Sequence, residues 1–379
     1  MDSDQRRILP LDGIRGYAVL LVFYVHQFGY AANYLGRDLN IPAGDMDSAE
    51  LFLLWLVNSN YGVYLFFVLS GFLIGRMLNA PRPLPYRTFI ARRFARIYPA
   101  FLLSLLAGAV ITIFITKRVG FSWSVLAQNL LFLNGWFAIG EVPSYNFVTW
   151  SLFFEFVFYL TIPAVRLLPS KPAWQILGGL TIISATALVM RLGPTYLFFF
   201  AGFLVANTSD ERLRAIAARI PTFVLLAGYL ATTSLYGFRI VDATTFTFLY
   251  LIVATAMIVS AAYGTGLLHQ VFGWKPLRAL GTISYSFYLL HALVAICVFM
   301  VCWRYAPAEE WKRWLVVAAA TPVSFILSVG AASVLYWIAE RPYFLGYSGQ
   351  ARGYRAPGGP SSGFDQSPAP RLSAADRKR

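Results

Sequence analysis

The sequence predicts an all-α fold: a polytopic transmembrane helix bundle of about 10 spans, with both termini cytoplasmic. Three observations predict it. Hydrophobic residues make up 58% of the 379 and charged residues only 13%, about half the ~25% of a soluble domain, too little polar surface to cover a globule of this size. The apolar residues fall in long runs of roughly the ~20 residues a helix needs to cross ~30 Å of hydrocarbon. Lys and Arg are distributed unevenly between alternate connections, as the positive-inside bias requires. The same numbers argue against a soluble enzyme, a disordered chain or a nucleic-acid binder, because a net charge of +14 also arises when Arg gathers on one side of a bilayer.

In chain order the runs are 10–30, 61–79, 97–116, 149–167, 174–190, 194–207, 222–237, 245–263, 280–302 and 314–339. Lipid offers an open backbone no partner, so each is expected as a helix. The first is not a signal peptide, since Arg15 and His26 interrupt it and no small-residue cleavage pattern precedes Tyr30. The sixth is short for a span. Residues 123–137 are apolar but interrupted, and read as a short interfacial or re-entrant helix. With Met1 inside, the inner connections receive 22 Lys and Arg and the outer ones 8. Residues 1–8 are then a cytoplasmic N-terminus and 9–343 the membrane domain, and 344–379, rich in Gly, Pro, Ser and Arg, form a disordered cytoplasmic tail. Cys297 and Cys302 lie in an apolar run and offer neither a disulfide framework nor a metal site.

Ionisable side chains inside spans are expensive and face a cavity or a partner. Four stand out: Arg15, His26, Glu155 and His291. At ~1.5 Å per residue Arg15 lies roughly 8 Å above the inner end of the first span and His26 roughly 24 Å above it, on one helix face. Glu155 lies roughly 9 Å below the outer surface and His291 in the middle to outer half, so two His and one Glu are expected at similar depth with Arg15 beneath them. The plain alternatives are that each His bonds a neighbouring helix and that Arg15 reaches the inner interface. A second feature is Arg76, Arg82, Arg87, Arg92, Arg93 and Arg96, a stretch with no acidic residue. Guanidinium forks suit phosphate oxygens, although topology-setting charge and anionic lipid explain the same pattern.

The motifs resemble the acyltransferase-3 family of integral membrane O-acyltransferases. LDGIRGYAVLLVFYVH carries that family's Arg-x10-His spacing in Arg15 and His26, and GVYLFFVLSGFLIGR its FFVLSGF block with Ser70 and Gly71. RRFARIYP at 92–99, TWSLFFEFVFY at 149–159, GTISYSFYLLH at 281–291 and ERP at 340–342 follow in family order across residues 9–343. The chain departs from the pattern at Tyr64, where many members have an aspartate, and is expected to lack the fused esterase-like domain some members carry.

The resemblance implies transfer of an acyl group, commonly acetyl, from cytoplasmic acyl-CoA to a hydroxyl of a surface glycan, glycolipid or secondary metabolite, in a multi-pass protein of the inner membrane. Acyl-CoA, commonly acetyl-CoA, would be a co-substrate rather than a resident cofactor, with no metal and no nucleic-acid partner. Its phosphates would meet Arg92, Arg93, Arg96 and Arg76, and its arm would pass Arg15 beside Ser70 and Gly71. His26 would be the general base, with Glu155 orienting it or stabilising the imidazolium formed during transfer. Tyr285, Tyr288 and His291 would donate to the oxyanion, and Trp150 and Ser151 are further substrate-side candidates. The alternative class is a proton-coupled transporter, which also needs intramembrane Glu, His and Arg; the sequence shows no clear inverted repeat to support it. Acceptor choice is expected in the outer loops 31–60, 117–148 and 303–313.

Overall fold

The computed structural model describes residues 8–58, 61–81 and 83–345, and every regular element in them is helical. Arg82 and the expected tail beyond Leu345 lie outside the described residues. The chain opens with α1 (Leu9–Leu35), which starts at a proline in its first turn and stops at Gly36, whose φ of 72° closes the C-terminus in the left-handed region. An unexpected helix, α2 (Ser48–Asn58), follows. Its start is a reciprocal cap: the Asp47 N–H donates to Glu50 at 2.9 Å and the Glu50 N–H to Asp47 at 2.8 Å.

Next come α3 (Gly62–Leu78), α4 (Tyr86–Val110), α5 (Trp123–Leu130), α6 (Trp150–Thr161), α7 (Pro172–Val189) and α8 (Leu197–Ala206). The bundle is completed by α9 (Asp210–Arg219), α10 (Thr222–Gly237), α11 (Ala243–Tyr263), α12 (Leu267–Gly273), α13 (Lys275–Thr282), α14 (Ser284–Arg304) and α15 (Glu310–Leu335). A π-helical turn, Tyr336–Glu340, prolongs α15.

Seven helical stretches, those containing α3, α4, α6, α7, α11, α14 and α15, are long and apolar enough to cross a membrane; α9 with α10, bent by 81°, could make an eighth. By length and composition, then, seven or eight of the expected ten spans are supported. α1 falls short because Asp12, Arg15, His26 and Gln27 dilute its apolar run, and α8 because it has only 10 residues. Residues 123–137 form the eight-residue α5 and short 3-10 turns, too short to cross.

The connections nonetheless gather at two ends, as alternating passes require. At one end Arg37 pairs with Asp47 and Glu310, and Arg239 donates to the carbonyls of Leu39 and Ile41. At the other Arg76 pairs with Asp210, and Arg166 donates to the Leu84 carbonyl. These groupings match the outer and inner connections expected from the charge bias.

α1 is the hub. It packs on α3, α11, α12, α13, α14 and α15, so Asp12 and Gln27 are buried and Arg15 and His26 partly so. α3 and α8 also pack backbone to backbone. A Cβ on Gly71 would sit 2.1 Å from the Phe199 carbonyl oxygen, so only a glycine lets these backbones touch. The space beside Gly71, where the resemblance would run the cofactor's arm, is filled by α8.

Candidate active site

A cavity of about 100 Å³ lies between α1, α3, α4, α6 and α14. Its cationic end is built by α4. Arg93 and Arg96 are three residues apart and so share a helix face, and both line the cavity, whereas Arg92 does not. Arg93 lies over the rings of Phe89 and Tyr159 at 5.4 and 5.3 Å and donates to the Met77 sulfur; Arg96 lies over Phe344 at 5.8 Å. Among the described residues neither guanidinium has a carboxylate within ion-pair distance, which leaves forked donors for an anion. Arg76 is placed elsewhere: it pairs with Asp210 and donates to the Tyr263 hydroxyl at 2.7 Å, away from the cavity wall.

Deeper in, Ser70 of α3 donates to Glu155 Oε1 at 2.9 Å, and the Tyr159 hydroxyl donates to the same oxygen. Among the described residues Oε2 accepts no hydrogen bond. Glu155 does not touch His26. The reason is depth: Phe147, just before α6, is the residue beside His26, with ring centroids 5.1 Å apart. Glu155 follows eight residues later, about 12 Å further along the helix. The expected cluster of two His and one Glu is therefore two sites, Glu155 with Ser70 and His26 with His291.

The histidines form a directed pair. His291 Nδ1 lies 3.1 Å from the Phe287 carbonyl, which needs a donor, so His291 carries its proton on Nδ1 and presents Nε2 as an acceptor. His26 Nδ1 lies 2.9 Å from that Nε2 and 2.9 Å from the Val22 carbonyl, so it too is the protonated nitrogen. His26 Nε2 is left with its lone pair. The arrangement is that of a base held in one tautomer by a third group.

Tyr288 stands between the two sites. Its hydroxyl donates to the Val148 carbonyl at 2.5 Å and receives a hydrogen bond from Ser151 at 2.8 Å, and its ring lies 6.0 Å from that of His291. The Tyr285 hydroxyl donates to the Ile97 carbonyl at 3.0 Å. Both tyrosines and Ser151 line the cavity, but the tyrosine protons are already committed to backbone. Trp150 is not on the wall; its ring packs on Phe137 and Phe154. Arg15 is on the wall, 3.4 Å from Asp12.

Glu340 is a site residue that the sequence did not single out beyond its place in a motif. Buried to 2% exposure, it accepts the Ser286 N–H at 3.1 Å and the Ser286 hydroxyl at 2.5 Å, while the charges of Arg96 and Arg15 act on it. The first-turn N–H groups of a helix have no partner within the helix, so Glu340 caps α14, the helix that carries Tyr285, Tyr288 and His291. A carboxylate at the end of an apolar run was the available signal.

The sequence profile of the acyltransferase domain, acyltransferase-3, matches residues 8–333. The chain is a member of the acyltransferase-3 family. Similar proteins include Acyltransferase MdmB of Streptomyces mycarofaciens, 30% identical over 182 residues, 46% of this chain and 44% of that protein. Peptidoglycan O-acetyltransferase OatA of Listeria monocytogenes is 26% identical over 83% of this chain and 53% of its own length. Nodulation protein 10 of Rhizobium leguminosarum is 22% identical over 87% and 92%. The chain thus spans about half the length of the first two relatives. No solved structure matches.

Proposed function

We propose that this acyltransferase-3 protein moves an acyl group, commonly acetyl, from cytoplasmic acyl-CoA to a hydroxyl of an acceptor on the far side of the inner membrane. The observation that carries the reading is one cavity with two carboxylate-free guanidiniums, Arg93 and Arg96, at its inner end and the oriented His26–His291 pair beyond its other end. The phosphates of acyl-CoA would bind the arginines, and the pantetheine arm would lie along Ser70 and Arg15. His26 Nε2 takes the acceptor's hydroxyl proton as its oxygen attacks the thioester carbonyl. The C–S bond then breaks, and the proton returns from His26 to the departing thiolate, giving the ester and free CoA. His291 Nε2 receives the hydrogen bond of the imidazolium formed on the way. Glu155 and Ser70 support the wall along which the arm runs. The charge bias of the connections supports a cytoplasmic arginine mouth, on the side from which acyl-CoA would come.

The test is acetyl-CoA turnover by the purified full chain in detergent. Free CoA should appear when acceptor is present and without an ion gradient, and Arg93→Ala should raise KM for acetyl-CoA more than KM for acceptor. A change confined to the acceptor's KM would refute the phosphate assignment. Turnover unchanged in a correctly inserted His26→Ala would refute the base.

A further inference from the structure

An open groove of about 350 Å³ lies at the end of α1 opposite the arginine mouth; Gly29, Asn33, Gly36, Arg37, Asp38 and Asn40 are among its walls. It is aligned with the base. At 100° per residue Gly29 and Asn33 lie within about 60° and 20° of His26 around α1, and roughly 4.5 and 10.5 Å beyond it along the axis. A Cβ on Gly29 would meet nothing within 4 Å, so the groove is open where it comes nearest His26. Asn33 donates to the Gly29 carbonyl at 3.0 Å, which turns its own amide oxygen outward as a free acceptor.

Two cations, Arg37 and Arg239, and four carboxylates, Asp38, Asp47, Glu50 and Glu310, stand around this groove, a balance opposite to that of the inner mouth. Arg239 is taken up by the carbonyls of Leu39 and Ile41. Arg37 is held by three carboxylates: Asp47 at 2.5 Å, Glu50 at 3.8 Å, and Glu310. Asp38 adds a further negative charge, one oxygen of which accepts the Asn40 N–H at 2.9 Å. No cation pairs with Asp38 among the described residues. The groove therefore offers amide and carboxylate partners to hydroxyl groups, and repels phosphate and carboxylate.

We propose that this groove seats the acceptor, and that the bound part of the acceptor is an uncharged, hydroxyl-rich unit such as a neutral sugar. The inference rests on the transferase reading above. It is tested in cells producing the full chain, by mass spectrometry of ester-linked acyl groups on surface and secreted molecules. Acetyl-CoA binding to each purified variant is measured alongside. Gly29→Trp fills the groove and should lower the acylated product at least about tenfold while acetyl-CoA affinity stays within about twofold. Asn33→Ala, a mild change at an exposed position, removes one hydrogen bond and should lower acylation roughly 2- to 10-fold at limiting acceptor. Product held at the wild-type level in Gly29→Trp, or lost only in step with acetyl-CoA binding, would overturn the assignment. An acylated unit bearing phosphate or carboxylate would overturn the charge class. Wild type making no more product than His26→Ala would instead overturn the transferase reading itself.

Discussion

Removing His291 should weaken catalysis by an amount the hydrogen-bond network sets. In the resting pair His26 Nδ1 shares its proton between the Val22 carbonyl and His291 Nε2, each 2.9 Å away. When His26 takes a second proton, that bond becomes one to a charged donor, and such bonds contribute about 1.5–3 kcal/mol. At 1.36 kcal/mol per tenfold, His291→Ala should lower kcat roughly 10- to 150-fold. His26→Ala removes the base itself and should cost about 10²–10⁴-fold. Because His291 acts only through His26, the double variant should be no slower than His26→Ala. His291→Gln can place an amide oxygen near the lost acceptor and should recover part of the rate. The assay is the initial rate of CoA thiol release by purified protein at saturating acetyl-CoA and acceptor. Rates for His291→Ala near wild type, or losses that simply multiply in the double variant, would refute the pairing.

Three further outcomes follow from the packing. Arg76→Ala removes an exposed ion pair with Asp210, worth about 0–1 kcal/mol, and should leave the acetyl-CoA KM near wild type, whereas Arg93→Ala should raise it; matching KM increases would contradict the placement of Arg76 off the cavity. Gly71→Ala would place a methyl 2.1 Å from the Phe199 carbonyl oxygen, and should lower thermal stability in detergent by the about 1–3 kcal/mol typical of overpacking. Glu340→Ala leaves the buried Ser286 N–H without its partner at about 1–3 kcal/mol, and should loosen the start of α14, read as faster amide exchange there than at the start of α11.

The fold class and the order of the spans were legible because apolar length and Arg asymmetry are local properties of the chain. Arg15 with His26 was legible for the same reason: one straight helix fixes their separation. What failed was depth measured between helices. Glu155 was placed from the start of its own span, and nothing in the sequence says that Phe147 rather than Glu155 packs beside His26. Arg76 looked like part of one basic cluster, but Asp210, which neutralises it, lies 134 residues away. Nothing in the sequence around Gly71 says that its partner is α8. α2 was missed although Asp47 and Glu50 carry a capping signature, because its apolar stretch is too short to look like a span.

On the proposed reading, the polar residues of α1 place the chemistry on a single rigid element. Arg15 faces the inner cavity, His26 holds the base, and Asn33 faces the outer groove, all within about 20° of one line along the helix. Their spacing is set by helical rise, so the donor and acceptor sides keep their register whatever the outer loops do. The cost is an intramembrane helix too polar to stand alone in lipid, which is why α1 is enclosed by α3, α11, α12, α13, α14 and α15 rather than placed at the rim. Glu340 then serves the same register from the facing side. By capping α14 it fixes the start of the helix that delivers His291 to His26. If the two substrates arrive from opposite faces of a membrane, as proposed above, that register matters more than mobile loops, and two helices and one buried carboxylate supply it.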